Sequence, residues 1–417
     1  MGIHPSVTRV AKRPSVMSLF TGAGGLDLGL EAAGYRTRLC VEIDHDARAT
    51  LLRNRPHWRL ASPGDIHEHD ASALVALAGL KEGELDLLAG GPPCQPFSKS
   101  GYWRSGDAKR LDDPRASTLR AYVRLVDAAL PRALVLENVR GLTFQGKDEA
   151  LRLLKRGLNR INRRKGTNYQ MNVLHLNAAH YGVPQLRERV FIVASRFGTT
   201  FETPATTHGT SSDQETFRTA WDAIGDLDNP DWLDELATTG RWARLLPTIP
   251  EGANYLWHTP NGGGQPLFGW RTRYWSFLLK LAKNRPSWTI QADPGPATGP
   301  FHWRSRLLSP RELCRLQTFP DDYVIEGDYR SVRRQVGNAV PCALAELIGL
   351  EIKRQLLGFE DVRKNLLFVP KPRRRCPPPE RPKRVPREYL LLRDRHRPHP
   401  GTGLGPAAAR REINLVG

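Results

Sequence analysis

The chain has 417 residues, 40% hydrophobic and 25% charged, with a formal net charge of +19. That size and apolar content allow two packed domains and exclude a disordered chain, and no apolar stretch approaches the roughly 18 residues that span a bilayer. The excess of positive charge points to an anionic partner such as nucleic acid. The first twenty residues have basic groups but no apolar segment followed by a small-residue cleavage site, so a cytoplasmic protein without a secretory signal is expected. The five cysteines, at 40, 94, 314, 342 and 376, show no metal-ligand spacing, so neither a disulfide framework nor a metal site is expected.

In chain order, "SVMSLF" (15–20), "RLCVEI" (38–43), "LDLLAG" (85–90), "ALVLEN" (133–138) and "RVFIVAS" (189–195) are short apolar runs bounded by Gly or polar residues, the pattern of buried strands. Helical patterns lie between them. After Asp113 as N-cap and Pro114 at the first helical position, Leu119, Tyr122, Val123, Val126 and Leu130 share one face, and Leu151, Leu154, Leu158 and Ile161 repeat that spacing. This alternation predicts an α/β fold around a mainly parallel sheet over residues 1–200. From about 200 to 305 periodicity weakens and Gly and Pro become frequent. Eight of the ten tryptophans fall there, which predicts a second, irregular domain over 201–324. Helical patterning resumes at "SPRELCRLQTF" and "NAVPCALAELIGLEIKRQLL", so 325–360 should return to the first domain. Between 371 and 411 there are thirteen Lys or Arg against three Asp or Glu, among many prolines, so 361–417 reads as a basic, disordered tail.

Three stretches carry chemistry. "SLFTGAGGLDLGLEAAG" sets a turn with Gly22, Gly24 and Gly25 between strand and helix, where backbone can approach a ligand. It does not meet G-x-G-x-x-G, because Asp27 stands at the sixth position. Glu42, twenty residues past Gly22, is placed to accept from ribose hydroxyls, and Asp65, at the end of an expected third strand, from an adenine amine. With Asp27 close to where a diphosphate would lie, an adenosine-containing ligand without one fits best, and S-adenosylmethionine is such a ligand. "GGPPCQPFS" puts Cys94 at the carboxyl end of a strand, in a loop stiffened by Pro92, Pro93 and Pro96. A zinc-deaminase reading fails because Phe97 stands where a second cysteine is required and no H-x-E precedes it. Cys94 is then either a small buried hydrophobe or a nucleophile. Glu137 ends the next strand, and "QLRER" directs Gln185, Arg187 and Arg189 to one side of an extended segment, as a salt-bridged edge or as part of a site.

"LFTGAGG", "GGPPCQPFS", "LENV", "YGVPQLRERVFIV", "RLQTFPDDY" and "RQVGNAVP" occur in this order, and over residues 15 to 355, apart from the divergent middle, the chain resembles the bacterial cytosine-5 DNA methyltransferases. It departs from the family's frequent Asp-Leu-Phe in having Ser18-Leu19-Phe20. The resemblance implies an S-adenosylmethionine-dependent, Rossmann-like catalytic domain with a smaller target-recognition domain, acting on cytosines flipped out of duplex DNA. It casts Cys94 as nucleophile at C6, Glu137 as the partner of N3 and the exocyclic amine, and Arg189, supported by Arg187, as the holder of O2 and a nearby phosphate. It implies cofactor contacts from Phe20, the 22–26 backbone including Leu26, Glu42, Ile43, Asp65, Ile66, Pro92 and Asn338. Residues 97–112, with Ser98, resemble a mobile loop closing over DNA. In the middle region Arg271, Arg273, Lys283, Arg285, Arg304 and Arg306 are candidates for DNA contacts. A monomer is expected, within a restriction-modification system whose endonuclease acts separately. The alternatives are an RNA cytosine-5 methyltransferase, whose Cys-Phe-Thr tripeptide this chain lacks, and a non-catalytic DNA-binding regulator.

Overall fold

The computed structural model describes residues 13–93, 116–139, 141, 149–228, 235–268, 275–295, 297–391 and 393. Its main sheet has six strands in the order β2-β1-β3-β4-β7-β5: β1 (Ser15–Leu19), β2 (Arg36–Val41), β3 (Leu87–Gly90), β4 (Ala133–Asn138), β5 (Asn172–Asn177) and β7 (Glu188–Ser195). The first four run parallel, and β7 lies antiparallel between β4 and β5. β5 has no apolar run because it is an edge strand whose burial alternates, leaving Val173 39% exposed. The expected third strand is a single bridge between Cys40 and Leu60, and Asp65 instead caps the short turn Ile66–Glu68. A two-residue strand, β6 (Gln185–Leu186), pairs with Ser287–Trp288 of the middle region.

Apolar residues on adjacent strand positions point to opposite faces. Met17, Leu19, Leu134 and Leu136 face helices α3 (Ala71–Leu77), α4 (Ala116–Ala129) and α5 (Glu149–Lys165). Val16, Leu87, Ala133 and Val135 face the other way, toward α1 (Gly25–Ala32) and the last core helix, α9 (Cys342–Gln355). Burying a Leu or Val of this kind contributes about 1.5–3 kcal/mol. α1 and α9 approach closely at glycines. A Cβ on Gly29 would stand 2.4 Å from Ala345 Cβ, and one on Gly349 would stand 2.9 Å from Ala33 Cβ. The chain thus returns at its end to cover β1. Asp113 and Pro114, expected to start α4, lie outside the described residues.

Packing crosses two of the expected boundaries. α6 (Ala220–Ile224), α7 (Pro310–Leu316) and Tyr323 share one core with Leu28, Leu51 and, from α8 (Tyr329–Asn338), Val332 and Val336. Residues 308–323 therefore pack with the catalytic domain and with the middle region at once, sharing this core with Leu281, Ile290 and Trp303. The irregular region has its own smaller core of Leu245, Leu246, Ile249, Tyr255, Leu267, Leu278 and Phe301, which also takes in Tyr389. Residues 361–391, read from composition as disordered, form an extended strap along the body instead. Its Pro content removes chain entropy without requiring a core of its own.

Candidate active site

The parallel register brings the carboxyl ends of the strands level: Leu19 pairs with Val41 and Gly90, and Gly90 pairs with Leu136. Phe20, Glu42, Gly91 and Glu137 each follow one residue later, so four motifs far apart in sequence meet along one edge.

The first part of this edge is the glycine turn. Gly22 and Gly24 take φ of 55° and 80°, and Phe20 itself sits at 57°. A Cβ on Gly22 would meet nothing within 4 Å, whereas one on Gly25 would stand 2.4 Å from the Val340 carbonyl. Gly25 thus lets α1 abut the α8–α9 turn, and Gly22 borders open space. Glu42 is buried and accepts from the Gly22 and Asp44 amides at 2.6 and 2.7 Å; burial pushes its carboxyl up, against those two amides. Beside it Ile43 is 67% exposed, an apolar side chain that a ring can cover. Asp65 is half-buried with Oδ1 on the His67 amide at 2.9 Å, Ile66 and Leu26 are buried, and Asn338 is exposed at the end of α8. Acceptors for ribose and amine beside an uncovered apolar side chain fit the adenosine of S-adenosylmethionine. Asp27 does not line this crevice. It is fully buried, neither oxygen meets a hydrogen-bond partner among the described residues, and burial raises its pKa to about 7, against the pull of the nearby Ser18 hydroxyl.

The second part holds Glu137 and Arg189. Glu137 pairs with Phe191 across β4 and β7, so Arg189 is its diagonal neighbour on the same face. Arg189 Nε lies 2.7 Å from Glu137 Oε1, an ion pair whose angle falls outside hydrogen-bond geometry, with both side chains about 10% exposed. Burial pushes the Glu137 carboxyl up, and Arg189 and Arg187 pull it down less strongly. Glu137 Oε2 stands 3.3 Å from where a Cβ on Gly91 would lie, so the absent side chain at 91 leaves the carboxyl room. Asn138, which the sequence reading did not single out, donates from Nδ2 to the Pro92 carbonyl at 3.1 Å. It ties the loop preceding Cys94 to the end of β4. Cys94 and Ser98 lie outside the described residues.

Arg187, which acts on the Glu137 carboxyl, also braces a second part of the site. It is fully buried, and its Nη2 donates to the carbonyls of Gly337 and Ala339 at 2.6 and 2.8 Å, on either side of Asn338. Its Nη1 donates to Ile290 O at 3.2 Å. The guanidinium is thus committed to holding the Asn338 turn and the middle region. Gln185 and Gln317 interlock beside it, Gln317 donating to Val336 O at 2.7 Å, which is how "QLRER", "RLQTF" and "GNAVP" become one unit.

The middle-region cations also differ from expectation. Arg306 is buried in a two-point pair with Glu312 at 2.7 Å, and Arg304 pairs with Asp228 and Glu380. Lys283 is buried against Glu251. These side chains hold the region together internally and are not free for phosphates. Arg285 is exposed, and Arg271 and Arg273 lie outside the described residues.

The family model for C-5 cytosine-specific DNA methylase matches residues 15–354. The Type II methyltransferase M.SacI of Streptomyces achromogenes is 40% identical over 378 residues, 84% of this chain and 94% of that protein. M.NgoFVII of Neisseria gonorrhoeae is 32% identical, covering 79% and 84%. A solved DNMT2 variant of Spodoptera frugiperda shares the fold, with a TM-score of 0.56 at 15% identity over 80% of this chain and 98% of that one. With the glycine turn, the Glu137–Arg189 pair and the Arg187-braced Asn338 turn all inside the matched span, the chain belongs to the C-5 cytosine-specific DNA methylases and is an S-adenosylmethionine-dependent DNA cytosine-5 methyltransferase.

Proposed function

We propose that Cys94, Glu137 and Arg189 carry the reaction on a cytosine flipped out of duplex DNA, and that Phe20, Glu42, Ile43, Asp65 and Asn338 hold the methyl donor. The observation that supports this most is the Glu137 carboxyl: it is buried, raised in pKa by that burial, and charge-paired to Arg189. Cytosine C5 is a weak nucleophile until a thiolate adds to C6. Cys94 Sγ forms that bond, and the electron pair displaced from C5=C6 runs through the ring toward N3. Glu137, protonated, donates at N3 and accepts from the exocyclic amine, so charge building on the ring meets a proton rather than a carboxylate. Arg189 keeps Glu137 aimed and offers a donor to O2. S-adenosylmethionine, when bound, supplies an electrophilic methyl group. Once C5 is methylated, loss of its proton re-forms C5=C6 and expels Cys94 as thiolate.

The Type II names of its relatives support a place in restriction-modification, with an endonuclease that recognises the same sequence and acts separately. Both the donor crevice and the base pocket come from one chain, which supports a monomer. No helix among the described residues is long and apolar enough to cross a membrane, and the reaction calls for the compartment that holds the DNA. Incubation with methyl-labelled S-adenosylmethionine and, side by side, mixed-sequence duplex DNA and transfer RNA tests the reading. Label on C5 of cytosine in the DNA supports it; label confined to RNA, or none on either, overturns it.

A further inference from the structure

The strap from 361 to 391 is pinned to the body by ion pairs of Arg363, Arg373, Glu380 and Glu388, by backbone hydrogen bonds and by Tyr389, and its other bases are exposed. Near its start Arg363 pairs with the fully buried Glu346, which also accepts from the Leu367 and Phe368 amides. Pro370 O accepts from Arg218 Nε at 3.0 Å, and Arg373 pairs with Asp226. Further on, the Glu380 amide donates to Glu251 and its carboxylate pairs with Arg304, while the Lys383 amide donates to Pro247 O. At the far end Glu388 pairs with Arg244, and Tyr389, 4% exposed, stacks on Trp242 with centroids 5.9 Å apart at 19°.

The two acids between 371 and 391, Glu380 and Glu388, are thus each paired with a cation of the body. Of the bases there, Arg373 alone has an ion pair among the described residues. Lys371, Arg374, Arg375, Arg381, Arg384 and Arg387 are all exposed. Every residue from 371 to 384 is exposed, Glu380 included, and what sets these six bases apart is that none makes an ion pair among the described residues. Pro372, Pro377, Pro378, Pro379, Pro382 and Pro386 hold this stretch extended. At about 3.1 Å per residue, its length from 371 to 384 is roughly 40 Å, a little more than one turn of B-form DNA. Its far end joins the aromatic cluster of the middle region. Trp242, on which Tyr389 stacks, touches Phe268 and Phe277 at 5.5 and 5.7 Å, and these two residues flank 269–274 with Arg271 and Arg273.

We propose that the exposed bases of the strap form a second contact with the DNA backbone, a pre-ordered positive track that tightens duplex binding without reading sequence. This rests on the DNA-methylating function and extends its substrate contacts beyond the matched family span, which ends at 354. Because the track is already pinned to the body, little ordering entropy is lost on binding. Each phosphate neutralised releases counterions, which gives the proposal its signature.

The test is the full-length protein with Arg374→Gln, Arg375→Gln, Arg381→Gln and Arg384→Gln together, titrated against mixed-sequence duplex DNA at several salt concentrations. Four lost contacts should make the slope of log K against log salt shallower by about 3 to 4. S-adenosylmethionine affinity and thermal midpoint should stay at wild-type values, since none of the four makes an ion pair among the described residues. An unchanged salt slope in a variant with the wild-type midpoint overturns the proposal. So does a slope that changes only with transfer RNA or with anionic lipid vesicles in place of duplex DNA. The readout is binding alone, so an absence of methyl transfer would count against the function and leave this test standing.

Discussion

At the residue scale, two side chains of the proposed reaction and one buried acid outside it each predict a separate outcome. Cys94→Ser should abolish methyl transfer while duplex binding persists, since an alcohol at pH 7 is a far weaker nucleophile than a thiolate. Wild-type turnover by that variant, measured with labelled donor, would remove Cys94 from its role. Glu137→Gln keeps the shape but has no proton to give N3, so kcat should fall by about 10²- to 10⁴-fold with little change in DNA affinity. Asp27 makes a stability prediction. Its folded-state pKa is raised from 3.8 to about 7, so its favourable share of stability is complete below pH 3.8 and lost as pH rises through 7. Thermal midpoints of Asp27→Asn and wild type should therefore converge near pH 4 and separate by pH 8, the variant then being the more stable. A wild-type stability curve no steeper than that of the variant between those pH values would contradict it.

At the scale of elements, Arg187 shows how far a sequence pattern reaches and where it stops. Alternation in "QLRER" predicts that Gln185, Arg187 and Arg189 share a side, and all three are buried while Leu186 and Glu188 are less so. What alternation does not carry is the partner, because the carbonyls of Gly337, Ala339 and Ile290 come from segments more than a hundred residues away. Arg187→Lys retains the charge but not a planar group that can bridge three carbonyls. It should lower the thermal midpoint and weaken S-adenosylmethionine binding through Asn338, with the DNA salt slope unchanged. Calorimetric titration of the donor checks this. The strands were legible for the opposite reason: β1, β3 and β4 are buried on both faces and so are mostly apolar, while β5, an edge strand, and the bridged Leu60 left no such run.

For the whole molecule, composition misleads where long-range pairing decides. The proline-rich, basic segment past 361 lacks the apolar content for a core, yet Tyr389 and Val385 join the core of the middle region. Likewise Arg304, Arg306 and Lys283 read as a nucleic-acid surface only until Asp228, Glu312 and Glu251 are seen beside them. Burial without those partners would be prohibitive, so the pairing is required by the fold that buries them. Tyr389→Ala should cost about 3 kcal/mol in the unfolding of the middle region, as for other large buried rings. Urea unfolding followed by tryptophan fluorescence reads this directly, because Trp242 loses its stacked partner; an unshifted transition would show that the strap does not support that core.

The central claim is that one thiol of this chain bonds to cytosine C6 before C5 is methylated. Duplex DNA carrying 5-fluorocytosine tests it most directly, since C5 then holds no proton to lose and the Cys94 thioether cannot be released after methyl transfer. With S-adenosylmethionine present, peptide mass spectrometry should find one methylated fluorocytosine adduct, on Cys94. An adduct on another residue, or methylation of ordinary duplex DNA by a protein that never forms the adduct, would contradict the account.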